Sequence, residues 1–217
     1  MQESAVNIIK KLKSYHKEGG VTLDAETPFQ LLVATILSAQ CTDLRVNMVT
    51  KTLFKKFGTP ESLANASFDE VVDIIKSLGF FNQKAKFIIE AAKKIVSDYN
   101  GKVPNSREAL QSLPGVGRKT ANIVLSRAFN VPAIAVDTHV KRLSKRIFGL
   151  KENNPDAIEK ALMEIFPENV WNDVNLTFIF HGRTVCKPQK PLCDKCPINN
   201  YCKYFNSKEK KYGHDRN

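Results

Sequence analysis

What the 217-residue chain does without narrows its roles before any motif is considered. It has no apolar run long enough to cross a bilayer, which takes about 20 residues as a helix. The stretch from Met1 to Lys13 lacks the uninterrupted apolar core of a secretory signal. An intracellular protein is therefore expected, cytoplasmic or nucleoid-associated if the source is prokaryotic, with no membrane partner. No low-complexity linker interrupts the chain, and no period repeats as it would in a solenoid. Alternating polar and apolar residues bounded by hairpin turns are missing too, so few or no strands are expected. Acidic residues are scarce: 22 Asp and Glu face 33 Lys and Arg, a net charge of +11 that favours a polyanionic partner. The scarcity is sharpest from Arg118 to Lys151, where eight basic residues meet one acid, Asp137. Nucleic acid is the leading partner.

What is present is helical. A composition of 42% apolar and 25% charged residues suits one or two domains with real cores. Apolar spacing follows the helical period along nearly the whole chain, with expected stops at Gly58, Gly79, Gly101 and Gly149. Thr27 before Pro28 marks a helix start, and Ser67 with Glu70 fits a capping box. Phe29 to Ala39 is apolar nearly all round, the mark of a helix buried on most faces. From Asp137 to Phe148, Val140, Leu143 and Ile147 share one side and leave Lys141, Arg142, Lys145 and Arg146 on a face expected to be solvated. The polar stretch from Ser207 to Asn217 is expected to fray. The fold class is all-α.

Two segments carry chemistry. Ser112 to Asn122 reads Ser-Leu-Pro-Gly-Val-Gly-Arg-Lys-Thr-Ala-Asn, a glycine hairpin between helical stretches. Pro114 stops the first helix, Gly115 and Gly117 allow close backbone approach, and the second helix offers its N-terminal amides to an anion. That is a helix-hairpin-helix pattern, with Lys119 where a DNA phosphate or sugar could be held; a tight helix-helix turn with an exposed lysine is the plainer reading. The second segment holds four of the five cysteines, Cys186, Cys193, Cys196 and Cys202, in a C-x6-C-x2-C-x5-C arrangement. Under reducing conditions four thiolates suit one tetrahedral zinc or one iron-sulfur cluster better than two disulfides. Spacing does not choose between the metals. Cys41 reads as a small buried side chain.

The hairpin from Leu113 to Ala121, the segment Val136-Asp137-Thr138-His139, the late cysteine spacing, Leu37-Ser38-Ala39-Gln40 with Thr42-Asp43, and His181-Gly182-Arg183 together resemble the endonuclease III family, within the helix-hairpin-helix DNA glycosylases. The resemblance runs across almost the entire chain. It implies two helical lobes with a DNA-binding cleft between them. Residues 21–130 would form a six-helix barrel ending in the hairpin motif, about 106–130. Residues 1–20 and 131–217 would form a domain carrying one [4Fe-4S] cluster on Cys186, Cys193, Cys196 and Cys202. In this family the cluster is not the hydrolytic catalyst; it organises a loop, here Lys187 to Leu192, whose Lys187 and Lys190 would meet phosphates.

The same resemblance implies a bifunctional glycosylase and lyase that acts as a monomer on damaged double-stranded DNA, excising oxidised pyrimidines. An altered base must be extruded from the duplex. Gln40 matches a gap-filling residue, and Phe80 matches a second wedge position where an aliphatic residue is common. Gly115, Val116, Gly117, Arg118 and Thr120 would line the hairpin's DNA contact. Lys119 would be the nucleophile, its free amine favoured by Arg118, the helix end and partial burial. Asp137 would stabilise positive charge on the sugar while also capping a helix. Adenine glycosylases of the superfamily usually lack the lysine and carry a further domain for which this chain is too short. Gln111, where an acid is frequent, and Leu192, at a position often basic, depart from the pattern. The alternatives are a monofunctional glycosylase, in which Asp137 activates water, and a non-enzymatic helix-hairpin-helix binding module.

Overall fold

A computed structural model describes residues 2–17 and 19–212. Among the described residues every regular element is helical, as the spacing predicts, and no helix is long and apolar enough to cross a membrane. The chain divides into two compact units, Val21–Val131 and Met1–Gly20 with Pro132–Asn217.

In the second of these, α1 (Gln2–Tyr15) buries Ala5, Ile8, Ile9 and Leu12, one stripe at helical period. That stripe joins a core with Val140, Leu143 and Ile147 of α9 (Thr138–Phe148), Ile158 and Leu162 of α10 (Pro155–Ile165), and Val174 and Phe178 of α11 (Trp171–Thr184). Phe166, fully buried, stacks edge-on against Phe148 and Phe178 at its centre. A last helix, α12, runs from Lys203 to Tyr212. The fraying expected from Ser207 is thus replaced by helix as far as Tyr212; residues 213–217 lie outside the described residues.

The Val21–Val131 unit is arranged around α2 (Pro28–Leu37), whose buried residues include Phe29 and the whole run from Leu31 to Leu37. The all-round apolar segment is therefore the buried helix it was expected to be. It packs against α3 (Asp43–Phe57), α6 (Phe81–Tyr99) and α8 (Arg118–Ala128). Shorter helices α4 (Pro60–Ala64), α5 (Phe68–Ile75) and α7 (Arg107–Gln111) complete the unit.

Thr27 caps α2 by accepting from the Gln30 amide. Ser67 caps α5, and the Glu70 carboxylate returns to the Ser67 hydroxyl at 3.1 Å. A further capping box starts α4, where Thr59 and Ser62 exchange hydrogen bonds. Gly58 and Gly149 are the C-caps of α3 and α9. Gly101 follows Asn100, the cap of α6, while Gly79 lies beyond the end of α5, which Lys76 caps. Local apolar periodicity runs past a helix end whenever the turn that follows is itself buried, as Leu78 is here.

Gly115 has φ +77°, and a Cβ placed on it would lie 2.9 Å from Cβ and Cγ of Phe87. Gly117 has φ −89° and open space around it. Gly115→Ala is expected to cost about 2 kcal/mol, from left-handed strain and the clash with Phe87. Gly117→Ala should cost under about 1 kcal/mol, the difference between the two residues at a helix N-cap. Thermal unfolding of the two variants measures the contrast; equal losses would show that Gly115 is not needed for its backbone.

Candidate nucleic-acid interface and metal centre

The hairpin is built from the inside outward. Leu113 and Val116 are buried and anchor the turn, and the Val116 amide donates to the Leu113 carbonyl at 3.2 Å. Gly115, Gly117 and Lys119 face outward, with Arg118 and Thr120 half-buried. Gly117 is the N-cap of α8 and supplies no side chain to its first turn. Such a turn can take the oxygens of a backbone phosphate instead. Lys119 is exposed, so the partial burial expected for it is absent.

Asp137 caps α9: its Oδ1 accepts from the Val140 amide at 2.7 Å. Among the described residues its side-chain hydrogen bonding runs through Oδ1. Lys119 belongs to the Val21–Val131 unit and Asp137 to the other.

Gln40 and Phe80 are exposed, Phe80 to 64%. Both have left-handed backbone, with φ 55° and 57°. For a side-chain-bearing residue this costs about 1–2 kcal/mol, and strain of this kind concentrates at functional positions. Cys41, next to Gln40, is partly exposed rather than buried, and its Sγ accepts from the ammonium of Lys84 at 3.2 Å.

The four late cysteines gather where α11 ends. Val185 caps α11, Cys186 follows with its amide bonded to the His181 carbonyl at 2.8 Å, and single turns at Cys193–Lys195 and Asn199–Tyr201 present Cys193, Cys196 and Cys202. All four are free thiols lining one small pocket with Ile147, Leu192 and Ile198. Burial pushes the Cys196 thiol up to about 11 and raises Cys202 as well, so ionising these groups calls for metal charge. Among the described residues no three His, Cys, Asp or Glu side chains converge as ligands of a single ion. Four cysteine sulfurs lining one pocket form a donor set that fits an iron-sulfur cluster.

The basic face of α9 is not simply solvated, as the sequence suggested; it is the scaffold of this centre. Arg142 donates through Nε to the Cys186 carbonyl at 3.1 Å and through Nη2 to the Gly182 carbonyl at 3.0 Å. Arg146 donates through Nη1 to the Lys187 carbonyl at 2.7 Å and through Nη2 to the Pro188 carbonyl at 2.8 Å, with Cys186 Sγ at 3.4 Å from Nη1. Lys141 and Lys145 reach the carbonyl and side chain of Asn153 at 2.8 and 2.6 Å. Lys187 and Lys190 remain exposed on the loop so held, Lys190 with φ 47°. A Cβ on Gly182 would stand 2.6 Å from His139 Nδ1 and 2.8 Å from Arg142 Nη2, so the glycine admits the arginine to its carbonyl. His181 sits at 3.4 Å from Cys196 Sγ through Nε2 and at 3.1 Å from His16 Nε2 through Nδ1, and burial pushes it down to about 4. Arg142, Arg146, His181 and Lys84 are functional candidates to which no sequence motif assigns a role. The i, i+4 spacing of the two arginines and the Gly182 beside His181 are the signals for three of them; Lys84 has none.

Residues 33–168 match the HhH-GPD superfamily base excision DNA repair proteins, and residues 186–202, bounded by the first and last of the four cysteines, match the iron-sulfur binding domain of endonuclease III. Endonuclease III of Synechocystis sp. is 46% identical over 202 residues, covering 93% of this chain and 92% of that one. Among solved structures, a trapped endonuclease III–DNA covalent intermediate aligns with a TM-score of 0.87 at 40% identity, covering 96% of this chain and 98% of that one. A thermostable thymine-DNA glycosylase aligns at 0.86 and 27%, covering 94% and 98%. The chain belongs to the endonuclease III family of HhH-GPD base excision DNA repair proteins.

Proposed function

We propose that this protein is a bifunctional DNA glycosylase and abasic-site lyase that removes oxidised pyrimidines from duplex DNA, working as an intracellular monomer without membrane contact. The observation that carries this reading is the first turn of α8: no side chain caps it, the hairpin glycines leave its approach open, and Lys119 projects from it. The covalent DNA intermediate of the endonuclease III relative supports a covalent nucleophile over activated water.

The amides of the first turn of α8, from Gly117 to Thr120, hold a backbone phosphate and set the register of the duplex. Gln40 and Phe80 fill the space left by an extruded nucleotide, Phe80 by stacking on neighbouring bases. The Lys119 amine attacks C1′ of the sugar; the C1′–N bond to the base breaks and the base departs with a proton. The carboxylate of Asp137, oriented by its Oδ1 cap bond, stabilises the positive charge on the sugar as that bond opens. The C1′–O4′ bond then opens, O4′ taking a proton, and the imine left at C1′ makes the C2′ proton acidic. Its removal expels the 3′ phosphate oxygen and cuts the strand, after which water releases Lys119. Cys186, Cys193, Cys196 and Cys202 hold a [4Fe-4S] cluster, which when bound closes the loop rather than reacting with DNA. Arg142 and Arg146 hold the same loop from below, and Lys187 and Lys190 meet phosphates.

Borohydride trapping on a duplex with a single thymine glycol tests the covalent step. Unaltered protein should yield a trapped complex and Lys119→Ala none. Base release that persists in Lys119→Ala, without trapping in either protein, would establish the monofunctional alternative. Asp137→Asn separates capping from catalysis, because asparagine caps as well as aspartate. Its Tm should hold while single-turnover base excision falls on the order of 100-fold; matched losses of stability and rate would leave Asp137 a cap only. Replacing Lys187 and Lys190 with alanine should reduce the slope of log K against log salt by up to about 2, at roughly 0.9 per phosphate. An unchanged slope in a binding titration would remove both from the interface.

A further inference from the structure

Gln40 and Phe80 stand on two separate turns of the Val21–Val131 unit, both left-handed. Neither residue type keeps that backbone unless its surroundings hold it. One side chain reaches from one turn to the other. The backbone amide of Lys84 donates to the Phe80 carbonyl at 3.0 Å, and its ammonium donates to Sγ of Cys41, the residue after Gln40, at 3.2 Å. The Cys41 amide in turn donates to the Ser38 carbonyl at 3.0 Å and closes the turn that carries Gln40.

Lys84 is only 4% exposed. Lysine is almost never buried to that extent unless paired, and a thiol is a weak acceptor. As a device for stability the arrangement is poor, because a buried ammonium needs strong partners to offset its lost hydration. What it does provide is a fixed spacing between two tips.

We propose that Lys84 is a positioning residue: through its hydrogen bond to the Cys41 thiol it sets the separation of Gln40 and Phe80 so that both enter the duplex together. The proposal rests on the reading of these two residues as gap fillers. It predicts that loss of the Lys84–Cys41 bond uncouples insertion from folding.

The test uses cluster-loaded protein and a duplex with a tetrahydrofuran abasic analogue opposite 2-aminopurine, whose emission changes when its stacking changes. Lys84→Met keeps the unbranched stem and removes the donor. It should weaken binding about tenfold and suppress most of the emission change, with Tm and visible cluster absorbance close to those of the unaltered protein. Cys41→Ala should reproduce the loss, and the double variant should be no worse than either single one, since both remove the same bond. Cys41→Ser, which restores an acceptor, should retain binding and emission. Gln40→Ala and Phe80→Ala report on the underlying reading. If they lose the emission change while Lys84→Met keeps it, the positioning role is overturned and the gap-filling reading stands. If neither changes emission or affinity, both ideas fall. Should Lys84→Met fail to fold, the Cys41 pair decides: loss in alanine with retention in serine supports the latch, and equal behaviour overturns it.

Discussion

Between Cys186 and Cys202 the backbone makes only two single-turn helices, so regular hydrogen bonding cannot hold it. Its shape is imposed from outside. Two arginines one helical turn apart on α9 satisfy four of its carbonyls or those just before it, at Gly182, Cys186, Lys187 and Pro188. Arginine suits this work because its planar fork offers several donors in fixed directions and stays charged. Buried Ile198 pins the far end of the segment to the core. The thiol pocket, the outward lysines and the close approach of α11 to α9 all depend on that anchoring.

In the hairpin-bearing unit the economy is reversed. Leu113 and Val116 are sunk in the core so that the glycines between and beside them can stay bare, and the strained Gln40 and Phe80 project from turns that buried helices fix in place. Rigid apolar support beneath and exposed, conformationally costly tips above is the division of labour that P-loops and recognition loops also use. The strain is stored at those exposed tips.

Much of this was legible in residues near one another in the chain. Thr27 with Pro28 and Asp137 before Thr138 act as caps because capping needs only a side-chain oxygen and an amide two or three residues away. The buried α2 and the cysteine spacing were legible for the same local reason. Arg142 and Arg146 were misjudged because their acceptors lie some forty residues downstream. The exposure of Lys119, the partial exposure of Cys41 and the burial of Lys84 likewise depend on neighbours brought up by packing, which no periodicity encodes. The helix through Tyr212 arises where composition alone suggested fraying, with α12 packed against α9.

The unit that carries the cysteines is discontinuous: its first helix is separated by the whole Val21–Val131 unit from the helices it packs against. On a ribosome, α1 emerges before α9 to α11, the helices that cover its Ala5, Ile8, Ile9 and Leu12. At synthesis rates of 5–20 residues per second, the wait for α9 to α11 is on the order of ten seconds. The hairpin-bearing unit, contiguous in sequence, can complete its core during that interval. Translation order therefore makes the hairpin-bearing unit the earlier of the two to mature, and leaves α1 a waiting apolar stripe until α9 to α11 are made.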